Sequence, residues 1–260
     1  MTQLVAISLG AGVQSTTVAL MAKHGEISPM PDCAIFADTG WEPKAVYDHF
    51  EWLVDELPFP VHVVSGGDLR ANVLDGLNGT GGRFAAVPWH IRMPDGSEGI
   101  GRRQCTKEYK IRPIQRKIVE MMGGRPKGGC ELWVGISLDE AIRMKPSRVQ
   151  YIVNRWPLIE HKMSRLDCRA WLDRHGYPQP PKSSCIGCPY HSADHWKTLT
   201  TEEVADAIEV DRAIRRQNGI KGEQFMHRSL RPLEEVDLST ATDLGQGDLF
   251  INDCEGMCGL

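Results

Sequence analysis

The chain has 260 residues, with 30 Lys and Arg against 34 Asp and Glu, a net charge of −4, 41% apolar residues and 25% charged ones. That is the make-up of a soluble globular protein whose core folds without disulfide staples and whose surface as a whole will not attract a polyanion. No apolar run approaches the roughly 18 residues of a membrane span, and the start Met1-Thr2-Gln3-Leu4-Val5-Ala6-Ile7 lacks the basic stretch of a signal peptide. The expected location is therefore the cytoplasm, with no membrane partner. There the eight cysteines read as apolar fillers, ligands or nucleophiles and not as a disulfide framework.

Strands and helices alternate along the first part. Leu4–Ser8 is a short apolar run that reads as a buried strand, and Val18, Ala19 and Ala22 give Ser15–Lys23 helical spacing. Cys33–Ala37 is a second strand, Lys44–Glu56 a second helix and Val61–Val64 a third strand. Gly76–Gly101, glycine-rich with Phe84 and Trp89, reads as a long loop or hairpin. Arg112–Met122 is a helix with Pro113 suited to its first turn. Leu132–Ile136 and Gln150–Val153 are expected as strands four and five, and Ser164–His175 as a helix. Thr200-Thr201-Glu202-Glu203 opens a further helix to about Gln217 through a capping box. The expected class is α/β: a mostly parallel five-stranded sheet flanked by helices, Rossmann-like, with a C-terminal extension that contains cysteines.

The first strand runs into Ser8-Leu9-Gly10-Ala11-Gly12-Val13-Gln14-Ser15-Thr16-Thr17 and a helix follows. Glycines let backbone approach a ligand, and exposed N–H groups at a helix start attract anions. A Walker A loop is excluded because no Gly-Lys-Ser/Thr follows. A dinucleotide fingerprint fits Gly10 and Gly12, but Ser15 takes the third glycine's place; Asp38 then stands where a ribose-binding acid would be. A pyrophosphate loop of the Ser-Gly-Gly type and a plain glycine turn are the other readings.

Two further segments are distinctive: Ala37-Asp38-Thr39-Gly40-Trp41-Glu42-Pro43 after strand two, and Gly135-Ile136-Ser137-Leu138-Asp139-Glu140-Ala141-Ile142-Arg143 after strand four. Together with Gln104-Cys105-Thr106-Lys107-Glu108-Tyr109-Lys110-Ile111-Arg112-Pro113, they resemble the phosphoadenosine phosphosulfate (PAPS) reductase superfamily, over residues 4 to 190 with an echo at the tail. The resemblance implies the adenine nucleotide alpha-hydrolase-like fold (PP-loop, HUP type), with a nucleotide-binding domain over 1–160 and a helical or irregular region over 161–260. It implies that Ser8, Gly10, Gly12, Gln14 and Ser15 hold phosphate or sulfate oxygens, that Asp38 and Thr39 lie beside an adenine nucleotide, and that Arg143 neutralises its charge. Arg102, Arg103, Lys107 and Lys110 either add to that field or form a solvated face. Gln14 replaces the Asp of the pyrophosphatase branch, and Gly-Val-Gln resembles the loop of the reductase branch.

Ser184-Cys185-Ile186-Gly187-Cys188-Pro189 is a Cys-x-x-Cys, which reads as half of a zinc or iron–sulfur site or as a redox dithiol. The resemblance implies a [4Fe–4S] cluster, with zinc as the competitor. Gln104 stands where cluster-bearing reductases have the first of two adjacent cysteines, so the implied ligands are Cys105, Cys185, Cys188 and Cys254. Met257-Cys258-Gly259-Leu260 resembles the reductase tail and implies Cys258 as nucleophile. The implied activity is reduction of adenylyl sulfate or PAPS to sulfite, with a thioredoxin-like reductant as partner. The alternative is an ATP-dependent sulfurtransferase that thiolates RNA or DNA.

Overall fold

The computed structural model describes residues 3–77, 87–217 and 219–239. In chain order the elements are β1 (Leu4–Leu9), α1 (Val13–Lys23), β2 (Cys33–Asp38), α2 (Lys44–Glu56), β3 (Val61–Ser65), α3 (Leu69–Leu74), β4 (His90–Arg92) and β5 (Glu98–Ile100). A π-turn (Thr106–Ile111) then runs into α4 (Arg112–Met122), followed by β6 (Cys130–Val134), a 3₁₀ turn (Leu138–Arg143) and β7 (Ile152–Arg155). The rest is α5 (Pro157–Glu160), α6 (Arg165–Arg174), α7 (Ala193–Thr198), α8 (Thr201–Ile214), β8 (Glu223–Phe225) and a 3₁₀ turn (Leu233–Glu235).

The main sheet has the order β3-β2-β1-β6-β7 and every pairing is parallel. Both of its faces are covered, which is why its strands read as continuous apolar runs. Val5, Ile7 and Leu9 face a core completed by α1, Leu53 of α2 and Trp171 and Leu172 of α6. Their alternating neighbour Ala6, with Cys33 and Ile35 of β2, packs against Ile114 and Ile118 of α4. Helix α1 lies between sheet and α6 and is buried from Val13 to Ala22. Its polar side chains have partners: Thr17 Oγ1 donates to Val13 O at 2.8 Å, and Thr16 Oγ1 lies 3.1 Å from His49 Nε2.

A second sheet, order β5-β4-β8, is antiparallel and small. Its lobe has its own core, which joins Trp89, Val210, Ile214, Met226 and Leu233 to Trp41, Leu69 and Tyr109 from the first half of the chain. Residues on both sides of position 160 therefore build this lobe. Strand β6 begins and ends two residues earlier than expected, because the chain turns at once after Val134, with Ile136 N donating to Val134 O. Strand β7 lies two residues later than expected, and α8 ends at Ile214. No helix among the described residues is long and apolar enough to cross a membrane.

Burial sets one pH response. The His49 ring is held neutral, its pKa lowered to about 4 by desolvation. Above about pH 6.5 neither folded nor unfolded chain protonates this group. Below it the unfolded chain takes a proton that the folded chain refuses, so stability falls until the pH reaches the folded value near 4. From pH 7.5 to 5.0 this group should remove about 2 kcal/mol. Urea unfolding at the two pH values, on wild type and His49→Gln, checks it: the variant should lose less on acidification.

Candidate functional site: a basic cleft and a cysteine turn

Strands β1 and β6 are neighbours, but the chain leaves β1 toward β2 on the other side. Such a reversal of strand order opens a crevice at the carboxyl ends, where open α/β sheets bind ligands. A cleft of about 590 Å³ is found there, lined by Ser8 and Leu9 at the end of β1, Phe36 and Ala37 of β2, and Val134, Gly135 and Ile136 at the end of β6.

The floor is the loop between β1 and α1. Ala11 adopts a left-handed φ of 53° and Gly12 caps the helix. Ser15 Oγ accepts from Gly10 N at 3.2 Å and Gly12 N at 3.3 Å, so the loop amides converge on an oxygen. Gln14 lines the cleft and its Nε2 donates to Ser137 Oγ at 3.4 Å, which ties the start of α1 to the chain beyond β6. Gly135 must lack a side chain: a Cβ there would meet Ser15 N at 2.8 Å and Ser15 Cα at 3.0 Å.

The cleft is basic although the chain is acidic. Arg103, Lys107, Lys110 and Arg112 line it from one segment, and Arg143, Lys145 and Arg148 from another. Glu140 is the single carboxylate among the described residues that line the cleft, and it accepts from Arg143 Nη1. Arg143 Nε and Arg103 Nη2 are buried and have no hydrogen-bond partner among the described residues. Buried guanidinium donors left unsatisfied favour an anionic ligand, because each costs free energy until it is paired. The first segment owes its shape to Pro113. A proline there cannot donate to Tyr109 O, and the turn before it widens into a π-turn in which Arg112 N donates to Lys107 O. That turn has Cys105 before its first residue and places Lys110 in the cleft.

The cysteine turn is pinned to the segment after β2. Ile186 N donates to Trp41 O at 2.8 Å, and a Cβ on Gly187 would lie 2.0 Å from the Trp41 ring. Cys185 Sγ lies 3.3 Å from Thr39 Oγ1 and 3.5 Å from Glu42 Oε1. Glu42 is buried, with its side chain 2% exposed, and also receives Thr39 Oγ1 at 3.1 Å and Lys110 Nζ at 3.0 Å. Its Oε2 has no hydrogen-bond partner among the described residues. Cys188 is buried, and Cys105 and Cys185 pack against the core of the smaller lobe. Behind the turn Ser184 Oγ is 3.5 Å from His191 Nδ1 and 3.3 Å from His195 Nε2. Burial holds His191 well below its ordinary pKa, so it packs as a neutral ring.

The sequence-derived residues thus divide. Ser8, Gly10, Gly12, Gln14, Ser15 and Arg143 meet in the cleft. Asp38 and Thr39 are not among its lining residues: Asp38 Oδ1 accepts from Tyr47 Oη and from Gly40 N, both at 2.8 Å, and Thr39 faces Glu42 and Cys185. Cys254 and Cys258 lie outside the described residues. Among the described residues no group of three or more of His, Cys, Asp and Glu is placed to hold a metal ion, and the expected ligand Cys254 lies outside those residues. Glu42 and the cations at Lys145 and Arg148 were not expected as site residues. Their only signal in the sequence is proximity to the Asp-Thr-Gly and Asp-Glu-x-x-Arg segments.

No family model and no curated protein matches the chain. Among solved structures it is similar to the phosphoadenylyl-sulfate (PAPS) reductase from Candida auris, in its phosphate complex. The TM-score is 0.41 and the identity 12%, over 69% of this chain and 76% of that one.

Proposed function

We propose that the chain is a sulfur-metabolism enzyme of the PAPS reductase superfamily that binds an adenine nucleotide in the basic cleft. The observation that supports this best is the lining itself: seven cationic side chains, a loop of converging amides and one carboxylate already engaged by Arg143. A nucleotide phosphate bound there meets guanidinium and ammonium groups directly.

In this reading the Cys258 thiolate attacks the sulfate sulfur of adenylyl sulfate or PAPS. The bond from sulfur to the bridging phosphate oxygen breaks, and AMP from adenylyl sulfate, or adenosine 3′,5′-bisphosphate from PAPS, leaves with the electron pair. The cleft cations stabilise that leaving phosphate. The enzyme then holds a cysteine thiosulfonate. One thiolate of a thioredoxin-like dithiol attacks the Cys258 sulfur, sulfite departs, and the second thiol closes the reductant's disulfide. The two electrons that convert sulfate to sulfite come from that dithiol. Cys105, Cys185, Cys188 and Cys254 would hold a [4Fe–4S] cluster or zinc, and iron, sulfide and zinc analysis of anaerobically purified protein decides whether either is bound.

Incubation with adenylyl sulfate or PAPS without reductant should add one SO₃ group to Cys258, seen by intact-mass and peptide spectrometry and lost in Cys258→Ser. The second reading is an ATP-dependent sulfurtransferase on RNA or DNA. It draws on the exposed Arg102, Lys107 and Arg112 along the segment that borders the cleft. Absence of the adduct with both sulfonucleotides, together with AMP and pyrophosphate formed from ATP only when nucleic acid is present, replaces the first reading by the second.

A further inference from the structure

The cleft and the cysteine turn meet at one side chain. Lys110 lines the cleft, yet its Nζ is 3.0 Å from Glu42 Oε1, and the same oxygen is 3.5 Å from Cys185 Sγ. Lys110 is partly exposed, with 23% of its side chain accessible, whereas Glu42 is nearly sealed. A flexible ammonium at the boundary between a solvated cleft and a buried carboxylate can reach either side, and a ligand anion that draws it away must offset the ion pair that Glu42 loses. Glu42 cannot follow it. Thr39 Oγ1 donates to the same Oε1 and sits beside Cys185 as well, so the carboxylate remains with the thiol.

We propose that Lys110 is a positioning residue shared by the two sites. Glu42 holds it while the cleft is empty, and the anion of a bound nucleotide takes it, so that occupancy of the cleft is felt at Cys185. The proposal rests on the reading of the cleft as a nucleotide site. It requires competition between Glu42 and the ligand for one cation. When Lys110 turns to the ligand, Thr39 O–H and Cys185 S–H remain as donors to Glu42 Oε1. The thiol is then held more firmly and reacts more slowly with an alkylating agent.

The test uses the full chain, purified and handled anaerobically, with AMP and ATP as probes. Calorimetry on wild type comes first: no binding of either nucleotide removes the reading of the cleft itself. Given binding, Glu42→Gln keeps the shape but not the charge, and should tighten it by about fivefold or more, the lower end of ordinary coupling between sites. Lys110→Met should weaken binding. Adding Glu42→Gln to Lys110→Met should bring no further gain, because the residue competed for is gone. In parallel, the rate of iodoacetamide modification at Cys185 is followed by peptide mass spectrometry. Saturating nucleotide should slow it severalfold in wild type, leave it unchanged in Lys110→Met, and slow it again in Lys110→Arg. Slowing that persists in Lys110→Met at saturation is simple occlusion and overturns the proposal. So does an affinity that Glu42→Gln does not raise, equal gains from Glu42→Gln with and without Lys110, or no modification of Cys185 in either state.

Discussion

Replacing Asp211 by alanine should lower the stability of the protein by about 3–5 kcal/mol, the usual cost of removing one partner from a buried ion pair. Asp211 is on α8 with its side chain 1% exposed. Its Oδ1 accepts from Met226 N at 2.7 Å and its Oδ2 from Leu233 N at 3.0 Å, and Oδ2 also accepts from Arg215 Nη2. Arg215 in turn lies over the Phe225 ring, its guanidinium carbon 3.9 Å from the centroid. One carboxylate thus fastens β8 and the following 3₁₀ turn to the helix, and through β8 it holds β4. Alanine leaves two buried amides and a guanidinium without their acceptor. Asparagine keeps one acceptor oxygen but no charge, and should fall between wild type and alanine. Urea denaturation measures the loss. Hydrogen exchange at the Met226 and Leu233 amides localises it, since both should exchange faster in Asp211→Ala than amides of β1. A loss under about 1 kcal/mol would mean that the carboxylate does not hold the lobe.

Asp211 also shows where sequence reasoning stops. The main sheet was legible because its strands are buried on both faces, and runs such as Val5-Ala6-Ile7 and Cys33-Ala34-Ile35-Phe36 have few other uses in a soluble chain. Helices α2 and α4 appear at their expected bounds, the second closed by Gly123 in the left-handed region. Of the small sheet, only a hairpin within Gly76–Gly101 was legible, and β4 and β5 form one there. Its strands have three residues each, all three residues of β5 are exposed, and β8 pairs with β4 from well over a hundred positions away. No periodicity can develop over three residues, and a buried aspartate amid a helical pattern looks like any surface acid. The same holds at the site. Glycines and serines announced the loop, because a turn from strand to helix with exposed amides needs them. Glu42 had no signal beyond its place in the Asp-Thr-Gly segment, because its role depends on Lys110 and Cys185 arriving from segments 68 and 143 residues further on. Nor does the sequence show what Asp38 touches. An acid at a strand end can face a ligand or cap its own turn, and here Tyr47 and Gly40 engage it.

Arg143→Ala should weaken adenine-nucleotide binding by about 10- to 150-fold, or 1.5–3 kcal/mol, the range for a hydrogen bond to a charged group. The 3₁₀ turn after β6 aims this side chain into the cleft, and Glu140, three residues earlier, accepts from one end of the guanidinium. Its Nε is buried and has no hydrogen-bond partner among the described residues. That donor is desolvated before any ligand arrives, so pairing it with a phosphate or sulfate oxygen returns free energy without a fresh desolvation cost. Lysine should restore the charge but only part of the affinity, since an ammonium cannot keep Glu140 and reach the ligand with a planar fork. Lys127→Ala removes the same charge from an exposed position outside the cleft and controls for the general field. Titration calorimetry at low and moderate salt separates the two contributions: added salt should erase any effect of Lys127→Ala while leaving most of the effect of Arg143→Ala, because a contact inside a cleft is screened less than a surface charge. Equal, salt-sensitive losses from both variants would mean that Arg143 acts as one more cation of a diffuse field and not as a ligand of the nucleotide.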